Sequence, residues 1–382
     1  MQGGDRSDLG AIPGQVATVK TALSRRLRDA ATHDLPSNHL LVRAFGRFDS
    51  ERFVAEVRRL VPEILEALPP AALGPGNRHV IRVVRTGTSV AIVTVGRREG
   101  IPAALIMVPQ TPEAVTLLQR QANHERTLRS AYMPSPWARL VPNPLHEGAI
   151  KGRYYLVEAA LPGHSALPLL ADQKRRRDLL AHASEVIGEM HRQTMTTAVV
   201  GPALLERWVD EPARSIGRAL ASLKTGRAYG EALDRLAGHL RDSLVGQVLS
   251  VSWIHGDFWP GNLLVDPSGV VTGIVDWDRA DAEQLRLHDL LHLVLYTRKL
   301  LGGVEPGRLV RSALLDPGWT PDEEAILESG DRPFLSSARE RRTIILLYWL
   351  RFAAATVEQS DYFVRNPYWV RENVDLVLGA TG

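Results

Sequence analysis

The sequence predicts an α+β protein in two lobes, a small antiparallel β lobe and a larger helical lobe, behind a helical N-terminal extension. Three observations predict it. Short β-branched runs cluster between positions 79 and 108. Helical periodicity dominates on either side of them. A strand–turn–strand pattern rich in polar groups, "WIHGDFWPGNLLVD" onward, interrupts the later helices. The expected boundaries are 1–75 for the extension, 76–158 for the β lobe and 159–382 for the helical lobe.

In the extension, "FDSERFVAEVRRLVPEILEAL" sets Phe53, Val54, Val57, Leu60, Val61, Ile64 and Leu65 at helical spacing. Asp49 or Ser50 is the expected N-cap, and Pro69-Pro70 stops the helix. "LGPGNR" reads as a linker. "HVIRVV", "SVAIVTV" and "AALIMV" then form a meander around "RTGT" and "GRREG". The helix "TPEAVTLLQRQANHERTLRSAY" follows, and a strand pair surrounds "GAIKGRYYLVEAAL". The next helix places Leu179, Leu180, Ala183, Val186, Ile187 and Met190 on one face, with the basic run Lys174 to Arg177 solvated at its start. Mostly helical sequence runs to about 245. After the polar motif, "IILLYWLRFAAATV" reads as a buried C-terminal helix.

Composition narrows the function. A charged share of 23% and a net charge of +3 belong to an ordinary globular chain and give no case for nucleic-acid binding. No apolar run is long enough to span a bilayer, and the N-terminus lacks a signal-peptide layout. A cytoplasmic enzyme with no membrane partner is expected. With no cysteine, disulfides, thiolate metal sites and cysteine nucleophiles are excluded.

The polar motif carries the chemistry. A strand, Val251 to Ile254, enters a loop holding His255, Asp257 and Asn262. "NLLVD" turns at "PSG", and "VVTGIVDWD" returns, so Asp276 comes back beside that loop. Phosphoryl transfer needs one carboxylate to orient a hydroxyl and accept its proton. It also needs an amide oxygen and a second carboxylate to hold Mg²⁺ against nucleotide phosphates.

"HGDFWPGN" and "IVDWDRA" resemble the catalytic loop and metal segment of the aminoglycoside phosphotransferase and choline kinase family, a branch of the two-lobed protein-kinase-like fold. The resemblance covers roughly residues 76 to 375. It implies Mg²⁺ and ATP as cofactors, Asp257 as catalytic base, His255 as a loop-ordering residue, and Asn262 and Asp276 as metal ligands. "LHDLLHL" implies Asp289 as a support of the loop. "NHERTL" puts Glu125 at the family's helix glutamate. "YYLVEAALPG" resembles the hinge, where backbone groups of Val157, Glu158 and Ala159 meet adenine. Gly87, in "RTGTS", is the one glycine available to a phosphate-binding turn between the first strands.

One departure stands out. The family pairs a lysine on the third strand with the helix glutamate. "PAALIMVP" puts Met107 there, and no lysine occurs from 21 to 150. Arg82 or Arg129 is a candidate replacement, although an arginine fork differs in geometry from an ammonium. The alternatives are a site that works on magnesium alone, or a nucleotide-binding protein without catalysis.

Other polar residues have plainer expected roles. Trp259 and Trp277 pack. His288 and His292 are structural, with no zinc pattern between them. Asp278 sits in a turn or reaches a second metal. Asp281, Glu283 and the cluster Asp322, Glu323, Glu324 are the acidic residues nearest to an acceptor wall, the cluster reading equally as a helix first turn. The expected acceptor is a hydroxyl-bearing small molecule, such as an aminoglycoside, sugar or related natural product. A Ser or Thr of a peptide is the alternative. The N-terminal residues are left to cap the β lobe, mediate dimerisation or hold an acceptor, and oligomeric state is open.

Overall fold

The computed structural model describes residues 47–69, 73, 79–85, 89–96, 101–133, 135–223, 225–316, 318–329 and 337–381. Most of the N-terminal extension therefore lies outside the described residues, as does Gly87.

Helix α1 (Arg47–Ala67) precedes the β lobe. It starts two residues before the expected cap Asp49 and ends ahead of Pro69. Strands β1 (His79–Arg85), β2 (Val90–Gly96), β3 (Pro102–Pro109), β4 (Pro144–Ile150) and β5 (Arg153–Ala159) form one sheet in the order β1-β2-β3-β5-β4. Every pairing is antiparallel. Because side chains alternate across a strand, the sheet has two apolar faces. Ala91, Val93, Val95, Ala104, Ile106 and Val108 face Phe53, Val57, Leu60, Val61 and Ile64 of α1. Each such large side chain contributes about 1.5–3 kcal/mol on burial. The Arg153–Glu56 and Lys151–Glu63 pairs fasten the contact. Of the three roles left open for the N-terminal residues, α1 takes the first and covers the outer face of the sheet.

The inner face presents Val90, Ile92, Met107 and Leu156 to helix α2 (Pro112–Tyr132). Thr111 caps α2 through a bond from the Ala114 amide, with Pro112 at the first helical position.

The helical lobe follows. A two-residue strand β6 (His164–Ser165) precedes α3 (Gln173–Gln193), whose predicted face is buried except for half-buried Val186. Strand β7 (Thr196–Val199), not anticipated from the sequence, pairs with β8 (Val248–Ile254). Between them lie α4 (Glu211–Leu220) and α5 (Gly226–Leu244). Next come β9 (Leu263–Val265), β10 (Val271–Ile274) and β11 (Asp281–Gln284). The returning strand is shorter than "VVTGIVDWD" suggested, because it breaks at Asp276.

The chain ends in helices α6 (Leu287–Gly302), α7 (Pro306–Leu315), α8 (Pro321–Glu328) and α9 (Ala338–Gln359), with short turns after them. Helices α6 and α9 are apolar around much of their circumference and form the centre of the lobe. The acidic run Asp322 to Glu324 is the first turn of α8, capped by Thr320 and Glu323 in a reciprocal box. None of the described helices is long and apolar enough to cross a membrane.

Candidate phosphotransfer site

The site forms where β8, the β9–β10 hairpin and the start of α6 meet. Gly256 follows β8 with φ +80, and a Cβ there would lie 2.1 Å from the Arg279 carbonyl oxygen, so only glycine fits. The hairpin turn is closed by Asp266, whose Oδ1 accepts from the Ser268 and Val270 amides. The Val275 amide donates to the Asn262 carbonyl at 2.9 Å, which locks the returning strand against the loop. Asp276 then adopts a left-handed conformation, φ 71 and ψ 61. Aspartate tolerates that region better than most residues, and the kink ends the strand and turns the next residues across the site.

Asp257 is buried. The Asn262 amide nitrogen donates to its backbone oxygen at 2.8 Å and to its Oδ2 at 3.2 Å. Both partners are acceptors, so the amide orientation is determined. Asn262 Oδ1 consequently points away, fully buried and without a hydrogen-bond partner. An orphaned amide oxygen across the hairpin from a carboxylate fits a hard divalent cation. Magnesium commonly takes one or two protein oxygens and completes its shell with water and phosphate. Among the described residues no group of three or more His, Asp or Glu converges as a self-sufficient metal site.

Burial raises the pKa of Asp276, and the neighbouring carboxylates Asp278 and Asp257 raise it further. Asp278 is likewise raised by burial, against the pull of Arg279. Arg279 faces all three carboxylates, and Arg120 acts on Asp278 as well.

Asp289 holds the loop from below. Its Oδ2 accepts from the His255 amide and its Oδ1 from the Gly256 amide, each at 2.8 Å. His191 Nε2 donates to Oδ2 at 3.0 Å. Burial alone would raise its pKa, but the His191 bond and neighbouring histidines hold it below the ordinary range. His255 packs its ring 4.5 Å from Trp277 and donates Nε2–H to the Val275 carbonyl at 3.0 Å, while its Nδ1 faces the Asp257 amide. Burial lowers the His255 pKa, which keeps the imidazole neutral. Trp259 and Trp277 are core residues, as expected.

His292, expected to be structural, lies against Asp257. Its Nε2 lies 3.0 Å from Asp257 Oδ1, and its Nδ1 lies 3.0 Å from the Tyr348 hydroxyl. Burial would raise the Asp257 pKa, but His292 and Arg279 outweigh it and hold the carboxylate well below its usual range. The only sequence signal was the four-residue spacing of His288 and His292, which puts both on one face of α6. That α6 faces Asp257 is a tertiary fact. A His292→Ala variant is expected to lose about a hundredfold in kcat with little change in acceptor KM, because a freed carboxylate swings out of line. Steady-state kinetics on the folded variant check this, and an unchanged kcat would show that the contact is incidental.

The β lobe contributes a second polar cluster. Glu125, on α2, is completely buried. Gln121 Nε2 donates to Glu125 Oε1 at 3.0 Å and to Glu158 Oε1 at 2.9 Å. Burial and the adjacent Glu158 push Glu125 well above the ordinary carboxylate range. Glu158 is raised by burial to about 7. Met107 is packed among the inner-face apolar residues, paired with Ile92 and Leu156. A carboxyl–carboxamide–carboxyl group therefore stands where a lysine–glutamate pair is expected.

Of the two candidate arginines, Arg129 lies within electrostatic reach of Glu125. Arg129 Nη1 donates to the Ala138 and Val141 carbonyls, and Arg82 is exposed on edge strand β1. Val157 and Ala159 lie at the end of β5, with Val157 buried toward α1. His124 Nδ1 donates to the Trp277 carbonyl at 3.0 Å and so ties α2 to the segment after Asp276.

The Glu158 shift has a testable sign. Below about pH 4.5 the group is protonated whether the chain is folded or not. As pH rises toward 7, only the unfolded chain ionises it, so stability falls across that window and levels off above it. Glu158→Gln is expected to raise the melting temperature at pH 7.5 and to change it little at pH 4.5. Calorimetric melts at the two pH values decide it, and an equal effect at both refutes the ionisation account.

The model of the phosphotransferase enzyme family matches residues 80–324. The chain belongs to that family. The match takes in both lobes and ends in α8, so it includes Glu125, Asp257, Asn262, Asp276 and Asp289 of this phosphotransferase. Among solved structures it is similar over 99% of its length to a Plasmodium vivax ethanolamine kinase, 96% of which is covered, at 8% identity and a TM-score of 0.51. That likeness is one of fold. An aminoglycoside-3'-phosphotransferase of type VIII is 20% identical over 77% of this chain and 98% of its own, with a TM-score of 0.44. An aminoglycoside phosphotransferase from Streptomyces rimosus, in complex with ADP and streptomycin, is 16% identical over 76% and 97%, with a TM-score of 0.45. No curated protein matches the chain.

Proposed function

We propose that this phosphotransferase moves the γ-phosphate of Mg-ATP to a hydroxyl of a small-molecule acceptor. The observation that carries the reading is the buried, unpartnered oxygen of Asn262, whose amide nitrogen bonds Asp257 and whose backbone carbonyl accepts from Val275, the residue before Asp276. In this reading the acceptor O–H donates to Asp257, which aims the oxygen lone pair at phosphorus and takes the proton as the new P–O bond forms and the bond from the γ-phosphorus to the bridging oxygen breaks, releasing ADP. Asn262 and Asp276 hold the metal, which when bound neutralises charge on the transferring phosphate. Asp289 and His255 fix the loop so that Asp257 needs no reorganisation.

Calorimetric titration with a nonhydrolysable ATP analogue, with and without Mg²⁺, is the direct test. Binding is expected to depend on magnesium and to weaken by at least about tenfold in Asp276→Ala. Equal affinity with and without the metal, or in the variant, counts against the ligand assignment.

A second reading, nucleotide binding without transfer, draws on the Met107–Glu125–Glu158 arrangement, which offers the α/β-phosphates no cation. Magnesium-dependent binding with no phosphorylated product from any hydroxyl compound would favour it.

A further inference from the structure

A cavity of about 380 Å³ opens beside Gly256 and His292, next to Asp257. Its size is at the small end of ligand sites. Arg120, Arg207, Arg279 and Arg351 line it, against the four carboxylates Glu211, Asp278, Asp281 and Glu358. Most of those carboxylates are already engaged. Asp281 lies 3.4 Å from Arg351 and accepts from Gln284, Glu358 accepts from the Ser215 hydroxyl, and Asp278 sits against Arg279. The cavity therefore has no surplus of negative charge with which to recruit a polycation.

One group in it is conspicuously unused. His288 is 5% exposed and lines the cavity, yet neither ring nitrogen has a hydrogen-bond partner. A buried imidazole left in that state costs free energy. Burial and the nearby Arg351 lower its pKa to about 3, so the ring is neutral. It offers one donor and one acceptor, 6.4 Å from the Tyr348 ring. His288 lies one turn before His292 on α6, and side chains so spaced are roughly 5–6 Å apart at Cβ. That separation is within the span of a single sugar or cyclitol ring.

We propose that His288 recognises neighbouring hydroxyls of the acceptor, so that the acceptor is a compact, neutral, polyhydroxylated ring rather than a polyamine or an alcohol with one hydroxyl. One ring hydroxyl meets Asp257, and hydroxyls further along the ring give to and take from the His288 nitrogens. Arg351 beside that imidazole disfavours an ammonium group. The inference rests on the phosphotransfer reading above and assigns its acceptor class.

The test measures ADP release by the full-length protein with Mg-ATP and, separately, D-glucose, D-galactose, D-ribose or myo-inositol. Kanamycin and ethanolamine serve as the polycation and the single-hydroxyl probe. At least one neutral polyol is expected to stimulate release about tenfold over the rate without acceptor. For that polyol, His288→Leu should raise KM about tenfold through the lost hydrogen bonds. Its kcat should change far less than its KM. His288→Asn, which keeps a donor and an acceptor, should recover most of the affinity and shows that the Leu effect is not misfolding. Stimulation by kanamycin or ethanolamine alone, by no polyol, or an unchanged KM in His288→Leu overturns the inference. Loss of magnesium-dependent nucleotide binding in the wild-type protein would instead bring down the phosphotransfer reading itself. Intact nucleotide binding with no response to polyols removes only the acceptor assignment.

Discussion

Asp257→Asn is expected to lower the rate of phosphoryl transfer by about three orders of magnitude, while the affinity for Mg-nucleotide stays within about twofold. The substitution keeps shape and removes the charge. In the native site Asp257 is buried, held on one oxygen by Asn262 and approached on the other by His292. Its neighbours hold its pKa well below the usual carboxylate range despite burial, and in the proposed mechanism it meets the acceptor as a carboxylate. An amide in its place can still meet the Asn262 amide through its oxygen, so the loop is expected to keep its path. What it loses is the ability to draw the acceptor proton and to orient the lone pair. Single-turnover transfer with saturating acceptor, beside a nucleotide titration, separates the two effects. Near-normal transfer would remove Asp257 from the proposed mechanism. A parallel collapse in nucleotide affinity would place the residue in binding instead.

Asp289→Ala is expected to destabilise the protein by about 3–5 kcal/mol, the range for leaving buried polar partners uncompensated. Asp289 is completely buried and accepts from the His255 amide, the Gly256 amide and His191. Removing it leaves three donors without a partner beside Gly256, whose positive φ already forces the chain into a tight turn. Asp289→Asn keeps one acceptor oxygen and should cost less than the alanine variant. Equilibrium denaturation of the three proteins measures the difference. A loss below about 1 kcal/mol in Asp289→Ala, the worth of an ordinary net hydrogen bond, would show that other contacts hold the loop.

The two variants probe one design from two sides. Asp289 determines where the loop runs, and Asp257 depends on that path for its aim. His292 links them, since it sits one turn beyond Asp289 on α6 and touches Asp257 from the same helix. A disturbance of α6 should therefore reach the loop twice, through its amides and through the carboxylate.

Much of this molecule was readable before folding was considered. The meander appears as β-branched runs with turn residues at short intervals, and its strands pair with their neighbours in sequence. The polar loop was readable for the same reason. Asp257, Asn262 and Asp276 lie within twenty residues on one strand–loop–hairpin stretch, so the hairpin pairing keeps them in one neighbourhood. The absence of a lysine between 21 and 150 was visible as well, and with it the gap at Met107.

The tertiary structure decided the rest, because the deciding contacts join residues far apart in the chain. Periodicity gave α1 an apolar stripe without naming its partner; the outer face of the sheet supplied it. Glu125 and Glu158 are distant in sequence, and only the packing of α2 on β5 turns two ordinary carboxylates into a buried pair sharing Gln121. Most plainly, His288 and His292 read as structural residues on a buried helix. The placement of α6 under the loop puts one against Asp257 and leaves the other facing a cavity with both nitrogens free. Helical spacing tells which side chains share a face. What that face meets depends on how the whole lobe packs, and that is a property of long-range burial rather than of any local pattern.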